Sequence, residues 1–175
     1  YISSTPKYNL LYEALGWDIP KYIHLPQVMR DASHKLAKRD GDAYFSDYVD
    51  KGYLPAAIIN YLALLGWSPG TNQEIFTMEE LIEAFNVKGI NKSPSIFDID
   101  KLSWMNGEYI KAMSDEEFAR VCTPWLDKSR IKGKYDYSKL FKILKTRVMH
   151  FDEVPGLVDF LPELPDYDIE LYTHK

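Results

Sequence analysis

The stretch LPAAIINYLALLGW, residues 54–67, constrains this chain more than any other. Pro55 brings a fixed φ suited to a first helical turn, and Gly66 suits the end of one. Between them the residues are apolar nearly all round. A helix of that kind has to be buried, so the rest of the chain must fold around it. Asn60 and Tyr61 interrupt the run, and it falls short of the roughly 20 residues needed to span a bilayer, so a core helix is expected and not a membrane anchor. Hydrophobic residues make up 46% and charged residues 27% of the 175, enough for a packed core and too apolar for disorder.

Helical signals continue on both sides. Residues 6–16 predict a short helix with Pro6 in its first turn and Gly16 at its end, Leu10, Leu11 and Leu15 lying on or near one face. WDIPKYIHLPQVMR reads as extended chain with one short strand at KYIHLP. AYFSDYVDKG predicts a helix ending at Gly52. Thr77 and Glu80 form a capping box, as do Ser114 and Glu117, each opening a helix. Asp98 is a plausible N-cap for a helix over 98–106, with Gly107 as its end. Residues 136–149 predict a basic amphipathic helix with Leu140, Leu144 and Val148 on one face, and VPGLVDF a short helix after it.

The chemistry that is absent narrows the function. Four histidines show no metal-ligand spacing, and a single cysteine builds neither a zinc site nor an internal disulfide. Cys122 reads as a small buried apolar residue, and its solitude fits a cytosolic setting. There is no glycine-rich phosphate loop and no nucleophile elbow. Glu79, Glu80, Glu116 and Glu117 sit in first helical turns, where they complement the helix dipole. The N-terminus lacks the basic start and apolar block of a signal peptide, and begins without Met, as though cut from something longer. The net charge of −5 argues against indiscriminate nucleic-acid binding. Yet residues 101–150 carry 11 Lys/Arg against 6 Asp/Glu. Those in 128–147 are either a plain solvated face or a track for a phosphate backbone.

Positive charge also concentrates in HKLAKRDGD, residues 34–42, with Lys35, Lys38 and Arg39 within five positions. Taken with GYLPAAIINYLALLGWSPG at 52–70, KSPSIFDIDKLSWMNGEYI at 92–110, the opening ISSTPKYNLLYEALGW and the closing LVDFLPELPDYDIELYTHK, this segment resembles the bacterial glutamyl-tRNA synthetases, of class I. KLAKR is similar to their Lys-Leu-Ser-Lys-Arg version of the signature loop known as KMSKS.

That resemblance implies a C-terminal fragment of a longer enzyme, lacking the nucleotide-binding region with its His-Ile-Gly-His-type motif. The fold it implies is mainly α: a helical stem-contact and anticodon-binding bundle following the tail end of an α/β nucleotide-binding catalytic domain. Residues 1–50 would be the end of the catalytic domain, 51–112 the stem-contact domain and 113–175 the first part of the anticodon-binding domain. The parent would be a cytoplasmic, monomeric glutamate–tRNA ligase using ATP, with magnesium, to activate glutamate and charge tRNA(Glu); the fragment alone would be inactive. By position Lys38 would be the catalytic lysine, a compact cation brought to the charge building on the α-phosphate as pyrophosphate leaves. Lys35 and Arg39 would support the loop or bind ATP. Two departures stand out: Ala37 replaces the usual Ser between the lysines, and Ser4 an Asn.

Lys101, Trp104, Asn106 and Lys111 would be tRNA-binding residues, Lys101 and Trp104 sharing one helix face. Trp104 could equally be core, whereas Trp67, capping the apolar helix, reads as core. A competing class is a non-catalytic helical module that binds tRNA or protein.

Overall fold

The computed structural model describes residues 2–37 and 44–163. The first helix, α1 (Thr5–Ala14), carries Pro6 in its first turn, and Gly16 follows it at φ +68°. None of its residues is buried: Leu10 is 65% and Leu11 55% exposed. The leucine face expected to pack therefore meets no core among the described residues. Residues 21–26 form no strand. Pro20 and Pro26 bracket them, and proline cannot donate to a ladder. The strand lies just beyond, at β1 (Val28–Met29).

The helices α2 (Phe45–Asp50), α3 (Pro55–Gly66), α4 (Met78–Ala84), α5 (Ile99–Ala112), α6 (Asp115–Leu126), α7 (Ser138–Leu144) and α8 (Val154–Leu157) follow. A second strand, β2 (Ser95–Ile96), pairs parallel with β1, Val28 opposite Ser95 and Met29 opposite Ile96. Parallel pairing between segments so far apart in sequence requires a crossover. Here the crossover is α2 to α4, so the apolar helix α3 lies between two strands of one sheet. A simple helical bundle has no such connection.

The capping signals are realised atom by atom. The Thr77 hydroxyl accepts the Glu80 N–H at 3.2 Å while the Glu80 carboxylate accepts the Thr77 N–H at 2.8 Å. Ser114 accepts the N–H of Glu117 at 3.1 Å. Two helix lengths differ from expectation. α5 runs on to Ala112 because Gly107 is not a stop: a Cβ there would lie 2.7 Å from the sulfur of Met149. The glycine serves close packing inside the helix. α7 covers only seven residues, although Leu144 and Val148 are buried as the periodicity required.

Among the described residues the core has three clusters. Tyr48, Tyr53, Ile58, Tyr61, Leu102 and Met105 join α2, α3 and α5. Trp67, Phe76 and Leu81 close the end of α3, with Trp67 only 2% exposed, as expected of core. The largest gathers Ile110 from α5 with Phe118, Cys122, Leu126, Leu144, Phe151 and Val154 from the later helices. Burying each large aliphatic or aromatic side chain contributes about 1.5–3 kcal/mol. α3 is not sealed all round: Ile59 and Leu62 are 38% and 47% exposed.

Candidate functional site: the root of the basic segment and the face of α5

The chain entering the basic segment is a tight hairpin. The Arg30 N–H donates to the His34 carbonyl at 2.8 Å, and the Leu36 N–H to the Val28 carbonyl at 3.1 Å. Its turn is held by one side chain. The Asp31 carboxylate accepts the N–H groups of Ser33 and His34 at 2.8 and 2.9 Å and lies 2.9 Å from His34 Nδ1. The hydrogen bonds from Ser33 and His34 hold the Asp31 carboxyl far below the usual carboxylate range. Lys35 is exposed and sits opposite Met29 in an antiparallel bridge. Lys38 and Arg39 lie outside the described residues.

This hairpin is fastened to the start of α5. Beyond the β1–β2 register, the Phe97 N–H donates to the Met29 carbonyl at 2.8 Å. The Phe97 ring packs edge-on against Tyr61 of α3, centroids 5.2 Å apart, and tilted at 38° against Tyr48 of α2 at 5.7 Å. The next residue, Asp98, donates its N–H to the Tyr61 hydroxyl at 2.7 Å, and its carboxylate caps α5 by accepting from Asp100 and Lys101 at 3.0 and 3.1 Å. Burial pushes the Tyr61 hydroxyl pKa up, so it stays a neutral hydrogen-bonding group. The root of the basic segment, α3 and the cap of α5 are thus one hydrogen-bonded unit.

Along α5 the expected RNA-facing residues separate into two groups. Lys101, Trp104 and Lys111 lie on the outer side. Lys101 Nζ is 2.5 Å from a Glu74 carboxylate oxygen, Lys111 Nζ is 2.7 Å from one of Glu108, and Trp104 is 40% exposed and absent from the core clusters. Asn106 belongs to the opposite side. It is fully buried, its Oδ1 accepting the Leu54 N–H at 2.8 Å and its Nδ2 donating to the Met149 carbonyl at 2.5 Å. With both ends of the amide committed to backbone, Asn106 stitches the start of α3 to the chain before α8, and this structural role replaces the RNA contact read from its position. The sequence reading also passed over Glu74 and Asp31. An Asp two residues before a Ser and three before a His is an Asx-turn signal that could have marked the hairpin; nothing local marks Glu74 as a partner of Lys101.

Comparison with known proteins identifies the family. The family model described as tRNA synthetases class I (E and Q), catalytic domain, matches residues 1–104. The glutamate–tRNA ligase of Clostridium novyi is 56% identical over 178 residues, covering 100% of this chain and 37% of that protein. That of Clostridium kluyveri is 53% identical, with 100% and 36% covered. The crystal structure of a glutamate tRNA ligase from Elizabethkingia meningosepticum in complex with its amino acid superposes with a TM-score of 0.80 at 31% identity, covering 97% of this chain and 38% of that one. The glutamate-tRNA synthetase structure from Elizabethkingia anophelis gives 0.81 at 32% identity. The chain therefore spans well under half the length of the relatives it matches.

The reach of the family model to residue 104 corrects the expected fold class. The chain is not a helical stem-contact and anticodon-binding bundle that follows a short catalytic tail. β1, α3, β2 and the first half of α5 all fall within the catalytic-domain match, and the parallel strand pair is part of it. Nor do the comparisons support a C-terminal tRNA-contacting piece; most of the chain is catalytic-domain sequence. With that domain matched over residues 1–104 and whole-chain relatives at 53–56% identity, the chain belongs to the class I tRNA synthetases (E and Q).

Proposed function

We propose that this chain is part of a glutamate–tRNA ligase, which activates glutamate with ATP and transfers it to tRNA(Glu), and that it supplies the lysine loop for the first step. The observation that carries this reading is the hairpin of residues 28–36 bonded to the start of α5, which gives the basic segment a fixed root beside a cationic helix face.

In the reaction the glutamate carboxylate attacks the α-phosphorus of ATP and pyrophosphate leaves. Lys38 meets the charge that accumulates on the phosphate oxygens, and Lys35 and Arg39 hold the segment or the phosphates. Ala37 stands where the usual signature has a serine, so that hydroxyl is absent from this segment. Among the described residues, no group of three His, Cys, Asp or Glu side chains could hold a metal ion, and no step here runs through the magnesium that accompanies ATP.

On the tRNA side, Lys101, Trp104 and Lys111 present two cations and an indole along one helix face. Their carboxylate partners are half-exposed, and pairs that water still reaches are worth about 0–1 kcal/mol, so phosphate can displace them at little cost. The divisions of the chain after residue 50 and after residue 112, the latter where α5 gives way to α6, are proposed as boundaries between units.

Glutamate-dependent exchange of pyrophosphate into ATP by the longer protein that carries this chain is the test. The expected result is exchange that requires glutamate, with none from the 175-residue chain alone, which spans 36–37% of the ligases it matches, because catalysis needs the reactants held in position. A longer protein inactive with glutamate would overturn the reading.

A further inference from the structure

The last turn of α5, the first turns of α6, and α7 enclose an open cleft of about 600 Å³. Its cationic wall is Lys111, Lys142 and Lys145, opposed by one carboxylate, Asp115. Lys145 is fixed: its ammonium donates to the Met113 carbonyl at 2.6 Å and lies 2.7 Å from Asp115 Oδ1, with only 18% of the side chain exposed. Lys145 therefore neutralises Asp115, and Glu108 pairs with Lys111 at 2.7 Å, which leaves Lys142 as the cleft's excess positive charge on a protein whose net charge is −5. Phe118 and Phe141, edge-on at 6.1 Å, form its apolar wall, and Ser138 and Thr146 add hydroxyls.

We infer that this cleft receives one nucleotide unit of the bound RNA, the phosphate on Lys111 and Lys142 and the base or ribose against Phe141. The inference rests on the tRNA reading above and assigns it a second contact point. Three features select this occupant. The volume lies in the range of small-molecule pockets and is far more than a bare phosphate needs. An aromatic wall beside a cationic rim is how single-stranded nucleic acid is held without sequence reading. Lys111 also ends the stripe begun by Lys101 and Trp104, roughly 15 Å further along α5 at 1.5 Å per residue, so one RNA strand can reach both.

The test titrates the full chain with labelled tRNA(Glu) at 50 and 200 mM salt, comparing Lys142→Ala with Lys139→Ala, a lysine of the same helix that does not line the cleft. Losing one phosphate contact should lower the log–log salt slope by roughly 0.7–0.9, making the affinity lost between the two salts about threefold smaller. Lys142→Arg should restore the slope and Lys139→Ala should leave it unchanged. AMP should displace the RNA at about tenfold lower concentration than inorganic phosphate, because only AMP uses the aromatic wall. Equal effects at positions 139 and 142 would reduce the cleft to general basic charge and overturn the inference, with the tRNA reading intact. Displacement by a poly-glutamate peptide but not by AMP would also overturn it, in favour of an acidic protein partner. Absence of any binding by the unaltered chain at 50 mM salt would remove both the inference and the tRNA reading.

Discussion

The Met29 carbonyl accepts the N–H of Phe97 at 2.8 Å, and this contact ties the stem of a basic segment to the cap of a helix nearly seventy residues later. Asp98 follows Phe97 and caps α5, so a shift of the hairpin is transmitted to the residue that orients Lys101. Gly52, between α2 and α3, makes a second tie between distant parts of the chain. Its carbonyl accepts the Phe151 N–H at 3.3 Å.

Gly52 has φ +80°, and a Cβ there would lie 2.6 Å from the Phe151 Cβ and 2.8 Å from its backbone nitrogen. Gly52→Ala should therefore destabilise by about 2–6 kcal/mol, from backbone strain of about 1–3 and overpacking of about 1–3. Gly16→Ala is the control. Its φ is +68°, but a Cβ there meets open space, so only the backbone cost of about 1–2 kcal/mol applies. Urea unfolding of both variants measures the difference.

Replacing Asn106 by Leu should cost about 2–4 kcal/mol, because the Leu54 N–H and the Met149 carbonyl lose their partner in a buried place. tRNA affinity of the folded fraction should not change. A variant of normal stability with weakened RNA binding would return Asn106 to the RNA face.

Glu74→Gln should strengthen tRNA binding at low salt, since it removes the carboxylate that competes with phosphate for Lys101. A gain of about 2- to 5-fold corresponds to releasing a half-exposed pair worth at most about 1 kcal/mol. The same salt titration reads it, and weaker binding would mean that Glu74 orients Lys101 for its contact.

Acid should loosen two named places. The Asp31 carboxyl is held down by hydrogen bonds from Ser33 and His34, and that of Asp115 by its hydrogen bond and charge attraction to Lys145. A carboxyl whose pKa is lower folded than unfolded adds stability that is fully present above the unfolded value, near 3.9. That stability is lost as pH falls from there through the folded value. Asp31→Asn and Asp115→Asn should therefore be less stable than the parent above about pH 4 and converge with it in stronger acid. A difference that grew as pH fell would reverse the assignment. The Cys122 thiol, pushed up to about 12 by burial, should resist thiol reagents at pH 8 until the protein unfolds.

What could be read in the sequence was what local chemistry dictates. Pro55, Thr77 with Glu80, Ser114 and Asp98 each act through atoms within a turn of themselves, and each does so in the structure. What escaped depends on residues distant in sequence. Gly107 looked like a stop, but Met149 arrives to fill the space beside it. Leu10 and Leu11 carried a core pattern whose partner is not among the described residues. Asn106 and Lys101 were equally polar to the eye. Only the fold sends one inward to Leu54 and Met149 and the other outward to Glu74.

The most direct test of the central claim is Lys38→Ala in the longer protein, followed by glutamate-dependent pyrophosphate exchange and tRNA affinity together. A charge contact made mainly in the transition state is worth about 2–4 kcal/mol, so exchange should fall by about 10²- to 10³-fold while tRNA affinity changes little. An unchanged exchange rate would make residues 35–39 a surface turn and contradict the account.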